Sequence, residues 1–513
     1  MGAYQSKLSV EESLHEKAVL ERLRSMHLED KTDEGYVYVD DGNTNEKGEA
    51  QDVAKSRQPE SVSVSLMTQW QDTLLQDPKN RLALSALSAA DPREVLTSRA
   101  AKIAEPHVFN IKIPFEGGPI TYQRQSGRCW IFASTNVFRV ALMQKYSLDE
   151  FELSQAYLFF WDKLEKANWF LEQIISTADM ELDSRLVQTL VHEPLSDGGQ
   201  WDMVYNLVAK YGLVPQALYP DSFNAGASSV INSIIFTKLR EGALILRELV
   251  GKPAGTAAVI SSAKAKMMKE IHTILTLTLG PPPPVDAEFA WTFADRNGRA
   301  RTVRATPKAF ASDIYSAGFR VTSATIASMV SLVHDPRHAP LTLLTVDRLG
   351  NVVGGRAVTY VNVDMATLKA ACVATLRAGQ PVFFGSDVGK FSNRTGGIMD
   401  LGIIDYELGF NVSLLGMDKA ARLRTGESQM THAMVLTAVH VDEGTGLPVR
   451  WRVQNSWGTG VGSEGWFVMG DGWMDEFVYQ AVVDPRFLGR EVRDVLKGRA
   501  VVLPLWDPMG SLA

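Results

Sequence analysis

The spacing of apolar residues divides the chain into a helical part followed by a β-rich part. Apolar residues recur three or four positions apart after Cys129, Ser154 and Asp202, and again over about residues 221–280, which predicts long helices. Beyond residue 340 the apolar runs are short and bounded by turn residues, which is typical of strands. These strands are predicted at 341–346, 357–363, 381–385, 433–441, 449–455 and 465–469. The combination indicates an α+β fold.

Turn residues set the boundaries between these parts. Four consecutive prolines at 281–284 end the long helical stretch, and a turn at Asn297-Gly298 separates two strand-like runs, which predicts a hairpin. We therefore expect four parts: an N-terminal tail at 1–60, a helical half at 61–215, a helical insertion with the hairpin at 216–335, and a β-rich half at 336–513.

The tail differs from the rest of the chain in charge. Residues 1–50 contain twelve Asp and Glu against six Lys and Arg, whereas the whole chain of 513 residues has a net charge of only -7. One helix is predicted at 10–28, but the polar stretch after it has little to bury, so the tail is predicted to be largely disordered. Because the remainder is close to neutral, a basic nucleic-acid-binding surface is disfavoured.

Cysteine usage points to a reducing compartment, because only Cys129 and Cys372 occur and a disulfide scaffold is excluded. The chain has no run of about 20 apolar residues to span a bilayer, and its N-terminus lacks the apolar core of a secretion signal. The predicted location is the cytoplasm. Cys372 shares one apolar helical stripe with Leu368 and Leu376, so we expect a buried thiol there.

Cys129 lies in a different setting from Cys372. It follows a polar turn at 125–128 and precedes an apolar helical run at 130–138, so it is predicted to begin a buried helix. The dipole at a helix start favours the thiolate, which is the nucleophilic form of cysteine. The alternative is a structural cysteine at the start of a buried helix, and the position of Cys129 alone leaves this open.

A thiolate nucleophile needs a base and a residue that orients the base. His432 opens a predicted strand, and Asn455 ends another strand two residues before Trp457. Asn455 is placed to bind the second imidazole nitrogen and fix the ring, and Trp457 to shield that hydrogen bond from water. A lone histidine is more often structural, but this ordered set favours a Cys-His-Asn arrangement.

Four motifs together carry a resemblance to a known family. Gln123 with residues 126–130 (SGRCW), residues 431–434 (THAM) and residues 454–458 (QNSWG) resembles the papain superfamily of cysteine peptidases. The match is to its bleomycin hydrolase branch, which residues 348–352, 383–385 and 507–510 also resemble. The resemblance covers about residues 61–513.

The resemblance implies a papain-like fold, with a helical half, a β-barrel-like half, a helical hook insertion and a C-terminal arm. It implies that Cys129 is the nucleophile, His432 the general acid/base and Asn455 the orienting residue. Gln123 is implied to form the oxyanion hole with the backbone N–H of Cys129. Substrate-binding roles are implied for Gly198, Gly199, Trp457 and Ala513.

The function implied by the resemblance is a cysteine aminopeptidase that acts through an acyl-enzyme thioester, without a metal or organic cofactor. Its substrates are peptides with a free N-terminus, and the Ala513 carboxylate is expected near Cys129, where it pairs with the substrate α-amino group. The branch also implies a homohexamer. The alternative function is DNA or RNA binding through a channel of the oligomer, as a side activity.

The N-terminal sequence raises one further prediction. Residues 1–6 (MGAYQS) match the pattern for N-myristoylation of Gly2, with chance as the alternative. One myristoyl chain gives only marginal and reversible membrane binding. We therefore expect a mainly soluble enzyme with at most weak membrane association.

Overall fold

The computed structural model describes residues 61–253, 255–312, 314 and 323–512. The acidic tail with its predicted helix, including Gly2, and the last residue, Ala513, lie outside the described residues. The chain divides into two compact units, Met1–Gln76 and Asp77–Ala513. In the first unit the described part contains one helix, Val64–Gln76. The part boundaries at 60, 215 and 335 stay predictions.

The second unit begins with a mainly helical region. Its helices are Pro78–Leu87, Pro92–Val95, Arg99–Ala104, Cys129–Tyr146, Gln155–Ser176, Arg185–His192, Trp201–Tyr211, Phe223–Gly226, Ser229–Val250, Ala257–Leu279 and Pro307–Ser312. Shorter helices accompany the later strands: Ser323–Ser328, Met365–Arg377, Tyr406–Phe410, Lys419–Thr425, Asp471–Phe477 and Arg490–Val495. Single 3-10 turns lie at Gln216–Leu218, Pro485–Phe487 and Pro508–Gly510.

A twelve-stranded, mostly antiparallel sheet occupies the C-terminal part. Its strands are β1 (Ile111–Lys112), β4 (Val330–Val333), β5 (Thr342–Val346), β6 (Thr359–Asn362), β7 (Val382–Ser386), β8 (Ser392–Asn393), β9 (Ile398–Met399), β10 (His432–Val441), β11 (Pro448–Gln454), β12 (Trp466–Gly470), β13 (Val478–Val483) and β14 (Val501–Leu503). The order is β14-β5-β6-β4-β13-β7-β10-β11-β12-β9-β8, and β1 also pairs with β10. A separate hairpin joins β2 (Phe289–Ala294) to β3 (Ala300–Ala305).

The helix Cys129–Tyr146 lies at the centre of the second unit. Sixteen of its eighteen residues are buried, which is the pattern of a helix that is covered on every side rather than on one face. It packs against β10 and against the helix Gln155–Ser176. The helix ends at Ser147, which adopts the left-handed conformation. This packing places the first residue of the helix beside the first residue of β10.

The insertion packs on the helical side of the unit. Its long helices Ser229–Val250 and Ala257–Leu279 pack against each other and against Gln155–Ser176. The hairpin contributes Trp291, whose ring meets Phe151 at a centroid distance of 5.1 Å and Tyr146 at 5.7 Å. The insertion therefore shares its core with the helix of Cys129.

Most of the predicted elements are present. The hairpin, the helix at 365–377 and the six predicted strands are confirmed to within two residues at each end. Cys372 is fully buried in the core on the other side of the sheet, as its stripe predicts. Strands β4 and β13 were not predicted from the sequence pattern. Both are buried along their whole length, as is β7, which was predicted.

Candidate active site

Cys129 is the first residue of its helix and is 2 % exposed. Burial raises the pKa of its thiol to about 11, and the backbone N–H groups of Ala433, Trp130 and Cys129 itself offset this only in part. The start of the helix favours the thiolate, as predicted from the sequence, but for the isolated thiol the loss of water around the sulfur has the larger effect and the net pKa is raised. A thiolate here needs a partner that becomes positively charged beside it.

His432 is the first residue of β10 and is buried. Its Nε2 lies 2.8 Å from Oδ1 of Asn455, which follows the last residue of β11. The same Oδ1 accepts the backbone N–H of Ser456 at 2.8 Å, and this fixes which end of the amide faces the ring. Because an amide oxygen only accepts, Nε2 carries the proton, and Nδ1 of the neutral ring is left to accept one.

The surroundings of His432 keep its ring neutral. Burial lowers the pKa of His432 to about 4; the hydrogen bond to Asn455 raises it, and the charge of Arg394 lowers it further. Trp457 stacks on the imidazole at a centroid distance of 4.9 Å and an interplanar angle of 28°. Arg394 lies 4.7 Å from the centre of the Trp457 ring. Burial therefore favours the neutral ring as long as the thiol beside it is neutral, and an indole shields the ring from water.

Gln123 is fixed by the segment that contains Asn455. Its backbone N–H donates to the Ser456 carbonyl at 2.9 Å, and its Oε1 accepts the Ser456 hydroxyl at 2.6 Å. Nε2 donates to the Ser126 carbonyl at 2.8 Å. A side-chain amide nitrogen has two N–H groups, so one of them remains for a substrate oxygen.

Three of the four predicted catalytic residues line one cavity of about 320 Å³: Gln123, Cys129 and His432. Gly198 also lines this cavity, whereas Asn455 lies behind His432 and reaches the site through the imidazole. The arrangement brings a thiol, a base with a free ring nitrogen and an amide donor to one wall. It is the arrangement needed for nucleophilic attack on a carbonyl carbon.

The glycine pair lies against the nucleophile helix. A Cβ on Gly199 would lie 2.5 Å from the Trp130 ring, which excludes any side chain there. The Gly198 carbonyl accepts a hydrogen bond from Lys166 Nζ at 2.5 Å. The structure thus explains why glycine is required at 199; the substrate-binding roles of Gly198 and Gly199 stay predictions.

Asp197, directly before the glycine pair, connects several segments around the site. Its carboxylate accepts hydrogen bonds from the Gly127 backbone at 3.2 Å and from Asn232 Nδ2 at 2.9 Å, and it also contacts Lys163 Nζ and Ser228 Oγ. Burial raises the pKa of Asp197, but the Lys163 ammonium and these hydrogen bonds lower it more, and the net pKa is below its usual range. The turn before Cys129 is therefore tied to the insertion through a charged carboxylate.

Arg128, directly before the nucleophile, is fully buried and fixed by an ion pair. Its guanidinium makes two hydrogen bonds of 2.8 Å to the Asp221 carboxylate, and its Nε donates to Ser126 Oγ at 2.8 Å. A bidentate pair of this kind restricts both position and orientation. Arg128 therefore stabilises the turn that presents Cys129.

The C-terminal residues reach the same cavity. The Ser511 carbonyl accepts a hydrogen bond from Gln200 Nε2 at 2.9 Å, and Ser511 Oγ donates to the Met430 carbonyl at 2.6 Å. Leu512, the last described residue, lines the 320 Å³ cavity. The predicted site residue Ala513 lies outside the described residues, as does Gly2.

Neither a metal-binding cluster nor a membrane-spanning helix occurs in the described residues. Within 61–512, apart from the gaps at 254, 313 and 315–322, no cluster of three or more His, Cys, Asp or Glu side chains is suited to hold a metal ion. In the same part of the chain, no helix has the length and apolarity needed to cross a membrane.

The sequence and the fold were compared with those of known proteins. The Peptidase C1-like family matches residues 61–510. This chain belongs to that family. It is 41% identical to "Cysteine proteinase 1, mitochondrial" of Saccharomyces cerevisiae over 471 residues, which cover 90% of this chain and 95% of the relative. It is 42% identical to bleomycin hydrolase of Homo sapiens over 443 residues, which cover 85% of this chain and 95% of the relative.

A solved structure is also similar. The crystal structure of PepW from Lactobacillus rhamnosis matches with a TM-score of 0.83 and 39% sequence identity, and the match covers 88% of this chain and 99% of PepW. The comparisons confirm the predicted family with its bleomycin hydrolase branch, the papain-like α+β fold and the cysteine peptidase class. The alternative of nucleic-acid binding gains no support from them.

Some residues around the site were not identified from the sequence. Asp197 had a usable signal, since it directly precedes the predicted glycine pair. No such sequence signal existed for three further residues, because each comes from a segment far from the motifs in the chain and reaches the site only through the tertiary fold. They are Asn232, Glu193 and Arg394.

Proposed function

We propose that this protein is a cysteine aminopeptidase that removes N-terminal residues from peptides. The observation that supports it is the common cavity of Cys129, His432 and Leu512, in which the reacting thiol, its base and the C-terminal arm lie together. The relatives in the bleomycin hydrolase branch support the same class of reaction.

The reaction begins with transfer of the Cys129 proton to Nδ1 of His432. Each charge alone is disfavoured by burial, but the two form together and stabilise each other. The sulfur attacks the carbonyl carbon of the first peptide bond, and the carbonyl oxygen becomes an oxyanion. The free N–H of Gln123 and the backbone N–H of Cys129 donate to it; one such donor contributes about 2.7–4 kcal/mol in other enzymes.

The imidazolium then donates its proton to the leaving amine, and the C–N bond breaks to give an acyl-enzyme thioester. A water molecule, deprotonated by His432, attacks the thioester and releases the N-terminal residue and the free thiol. Throughout these steps Oδ1 of Asn455 accepts a hydrogen bond from Nε2–H of His432, and this bond stabilises the imidazolium. The steps use no metal ion and no organic cofactor.

The C-terminal arm restricts cleavage to the first residue. Ser511 is held by two hydrogen bonds and Leu512 lies in the cavity, so the arm occupies space that a longer N-terminal extension of the substrate would need. The carboxylate of Ala513 follows directly and is proposed to bind the α-ammonium of the substrate. An N-acetylated peptide lacks that charge and adds bulk.

The test uses pairs of fluorogenic aminoacyl substrates with free and with acetylated α-amino groups. We expect hydrolysis of the free substrates, its loss after treatment with a thiol alkylator, and little hydrolysis of the acetylated ones. Equal rates on both substrates of a pair would contradict an aminopeptidase, whereas activity that survives complete alkylation would contradict a cysteine peptidase.

We propose further that the enzyme assembles into a homohexamer through the insertion. The helices Ser229–Val250 and Ala257–Leu279 expose large apolar side chains, among them Leu244, Ile245 and Leu277. Exposed apolar surface of this kind is typical of an interface. Analytical ultracentrifugation distinguishes a hexamer of the 56.5 kDa chain from a monomer.

The cytoplasm is the proposed location, with myristoylation of Gly2 as a proposed modification that adds weak membrane association. The yeast relative is named as mitochondrial, so both compartments belong in the test. Cell fractionation and the intact mass of the protein after co-expression with an N-myristoyltransferase decide these two points. An unmodified Gly2 would exclude the lipid.

A further inference from the structure

Glu193 lies in the active-site cavity but takes no part in the proposed reaction. It follows the helix Arg185–His192 and lines the 320 Å³ cavity that contains Cys129. It also lines a neighbouring cavity of about 510 Å³. Leu512 lines both cavities as well, so Glu193 lies where the C-terminal arm borders the catalytic space.

The backbone at Glu193 is held in place on both sides. The carbonyls of Val191 and His192 accept hydrogen bonds from the Arg240 guanidinium at 2.8 and 2.6 Å. Pro194, which follows, is buried and has a fixed φ. The side chain itself is exposed, and within the described part of the chain it makes no hydrogen bond or ion pair with the protein. A rigid backbone with a free carboxylate is the condition for a preorganised ligand contact.

The charges around the cavity leave this carboxylate uncompensated. Among the residues that the structure describes, no Lys or Arg lines the 320 Å³ cavity. Asp197 also lines it, but its carboxylate is paired with the Lys163 ammonium. The neighbouring 510 Å³ cavity contains Lys166 and Arg348, but neither bonds to Glu193. Lys166 pairs with Asp162 and donates to the Ser196 and Gly198 carbonyls, and Arg348 donates to Gln173 and Ser176.

We propose that Glu193 binds a cation of the substrate's first residue and thereby selects what the enzyme hydrolyses. The ligand is an ammonium or guanidinium group, supplied either by a Lys or Arg side chain or by the α-amino group. This inference rests on the proposed aminopeptidase function. It adds a specificity-determining residue outside the Cys-His-Asn set and outside the C-terminal arm.

The experiment measures kcat/KM of the wild-type enzyme and of Glu193→Gln on four fluorogenic aminoacyl substrates, called reporters, that share one leaving group. Their first residues are Lys, Arg, Ala and Met. Glu443→Gln is the matched control, because Glu443 is an exposed glutamate in the turn between β10 and β11 and lines neither cavity. Loss of one partly exposed charge contact predicts a fall in kcat/KM of roughly threefold to tenfold. The fall is expected in KM rather than in kcat, since the reacting groups are unchanged.

The pattern of the loss identifies the cation. A loss of kcat/KM confined to the Lys- and Arg-reporters shows that Glu193 binds the side-chain cation of the first residue. An equal loss on all four reporters shows that it binds the α-amino group. Both results support the inference. Unchanged kcat/KM on every reporter overturns it. The loss of wild-type hydrolysis after treatment with a thiol alkylator tests the proposed cysteine peptidase separately, because alkylation of Cys129 does not involve Glu193.

A binding measurement makes the test independent of turnover. Calorimetry gives the affinity of lysine amide, which carries both cations, for Cys129→Ala and for the double variant Cys129→Ala/Glu193→Gln. We expect weaker binding to the double variant by the same threefold to tenfold factor. Equal affinities would overturn the inference even if the enzyme proved inactive on every reporter.

Discussion

At the residue scale, the site depends on two groups that burial makes poor acids and bases when each is taken alone. Burial raises the pKa of Cys129 to about 11 and lowers that of His432 to about 4. Burial therefore disfavours a charge on either group alone, so each charge needs the opposite one beside it. The proton is transferred within the pair, and the charges that result are stabilised by each other, by Asn455 and by the start of the helix. The local chemistry explains why all three residues are required together.

The first prediction concerns the orientation of His432. Replacing Asn455 with Ala removes the acceptor for Nε2–H, so the ring remains as a base but loses its fixed orientation. We expect kcat/KM to fall, but by less than the roughly 10²–10⁴-fold that loss of a general base costs. The hydrogen bond to Asn455 raises the pKa of His432. Without it the pKa falls, so protonation and the acidic limb of the pH profile move to lower pH.

The pH profile of kcat/KM from about pH 3 to 8 measures this shift. Asn297→Ala is the control, because Asn297 lies in the exposed turn of the hairpin β2–β3. An acidic limb that moves to higher pH in Asn455→Ala, or full activity at neutral pH, would contradict the role of Asn455.

At the element scale, Asp197 connects the turn before Cys129 to two helices. Replacing Asp197 with Ala leaves the Lys163 ammonium, whose side chain is fully buried, without its counterion. Breaking a buried pair from one side costs about 3–5 kcal/mol of unfolding free energy. We expect that loss together with lower activity, because Gly127 also loses its hydrogen bond.

Urea unfolding measures the free energy of Asp197→Ala. Asp494→Ala is the control, since Asp494 pairs with Lys497 at an exposed site and its loss is expected to change stability very little. Similar unfolding midpoints for the two variants would contradict the structural role of Asp197.

The contact between Gly199 and Trp130 gives a second prediction at this scale. A Cβ at 199 requires the indole to move, so Gly199→Ala is expected to destabilise the protein by about 1–3 kcal/mol and to reduce activity by displacing the start of the helix. Thermal unfolding of Gly199→Ala measures this loss of stability. Gly460→Ala is the control, since a Cβ on Gly460 meets nothing within 4 Å. Equal melting temperatures would show that the site accommodates the methyl group.

The sequence could predict those parts of the site that have local signals. A polar turn before an apolar helix located Cys129, and strand boundaries located His432 and Asn455. A buried helix was predicted at Cys129, but the rise in the thiol pKa was not, because it depends on how completely β10 and helices distant in the chain cover the sulfur. The same limit applies to Asn232 and Glu193, which come together only through the tertiary fold. Strand β13 was also missed, although it is as fully buried as β7, which was predicted.

At the scale of the whole molecule, the chain's own C-terminal arm shapes the cleft. Deleting residues 511–513 removes Leu512 from the cavity together with the terminal carboxylate. We expect lower activity on free aminoacyl reporters and new cleavage of an internally quenched peptide with an acetylated N-terminus. Mass spectrometry of the products locates the cleaved bond. If the truncated protein still releases only single N-terminal residues, the arm does not determine specificity.

The identity of the nucleophile also concerns the whole molecule, because the two thiols lie in separate cores on the two sides of the sheet. The most direct measurement is the rate of hydrolysis of one free aminoacyl reporter by Cys129→Ala and by Cys372→Ala, at matched concentration and with the same folded state by circular dichroism. We predict no hydrolysis above background for Cys129→Ala and a rate close to wild type for Cys372→Ala. Hydrolysis by Cys129→Ala at the wild-type rate, or its loss only in Cys372→Ala, would contradict a cysteine peptidase that acts through Cys129.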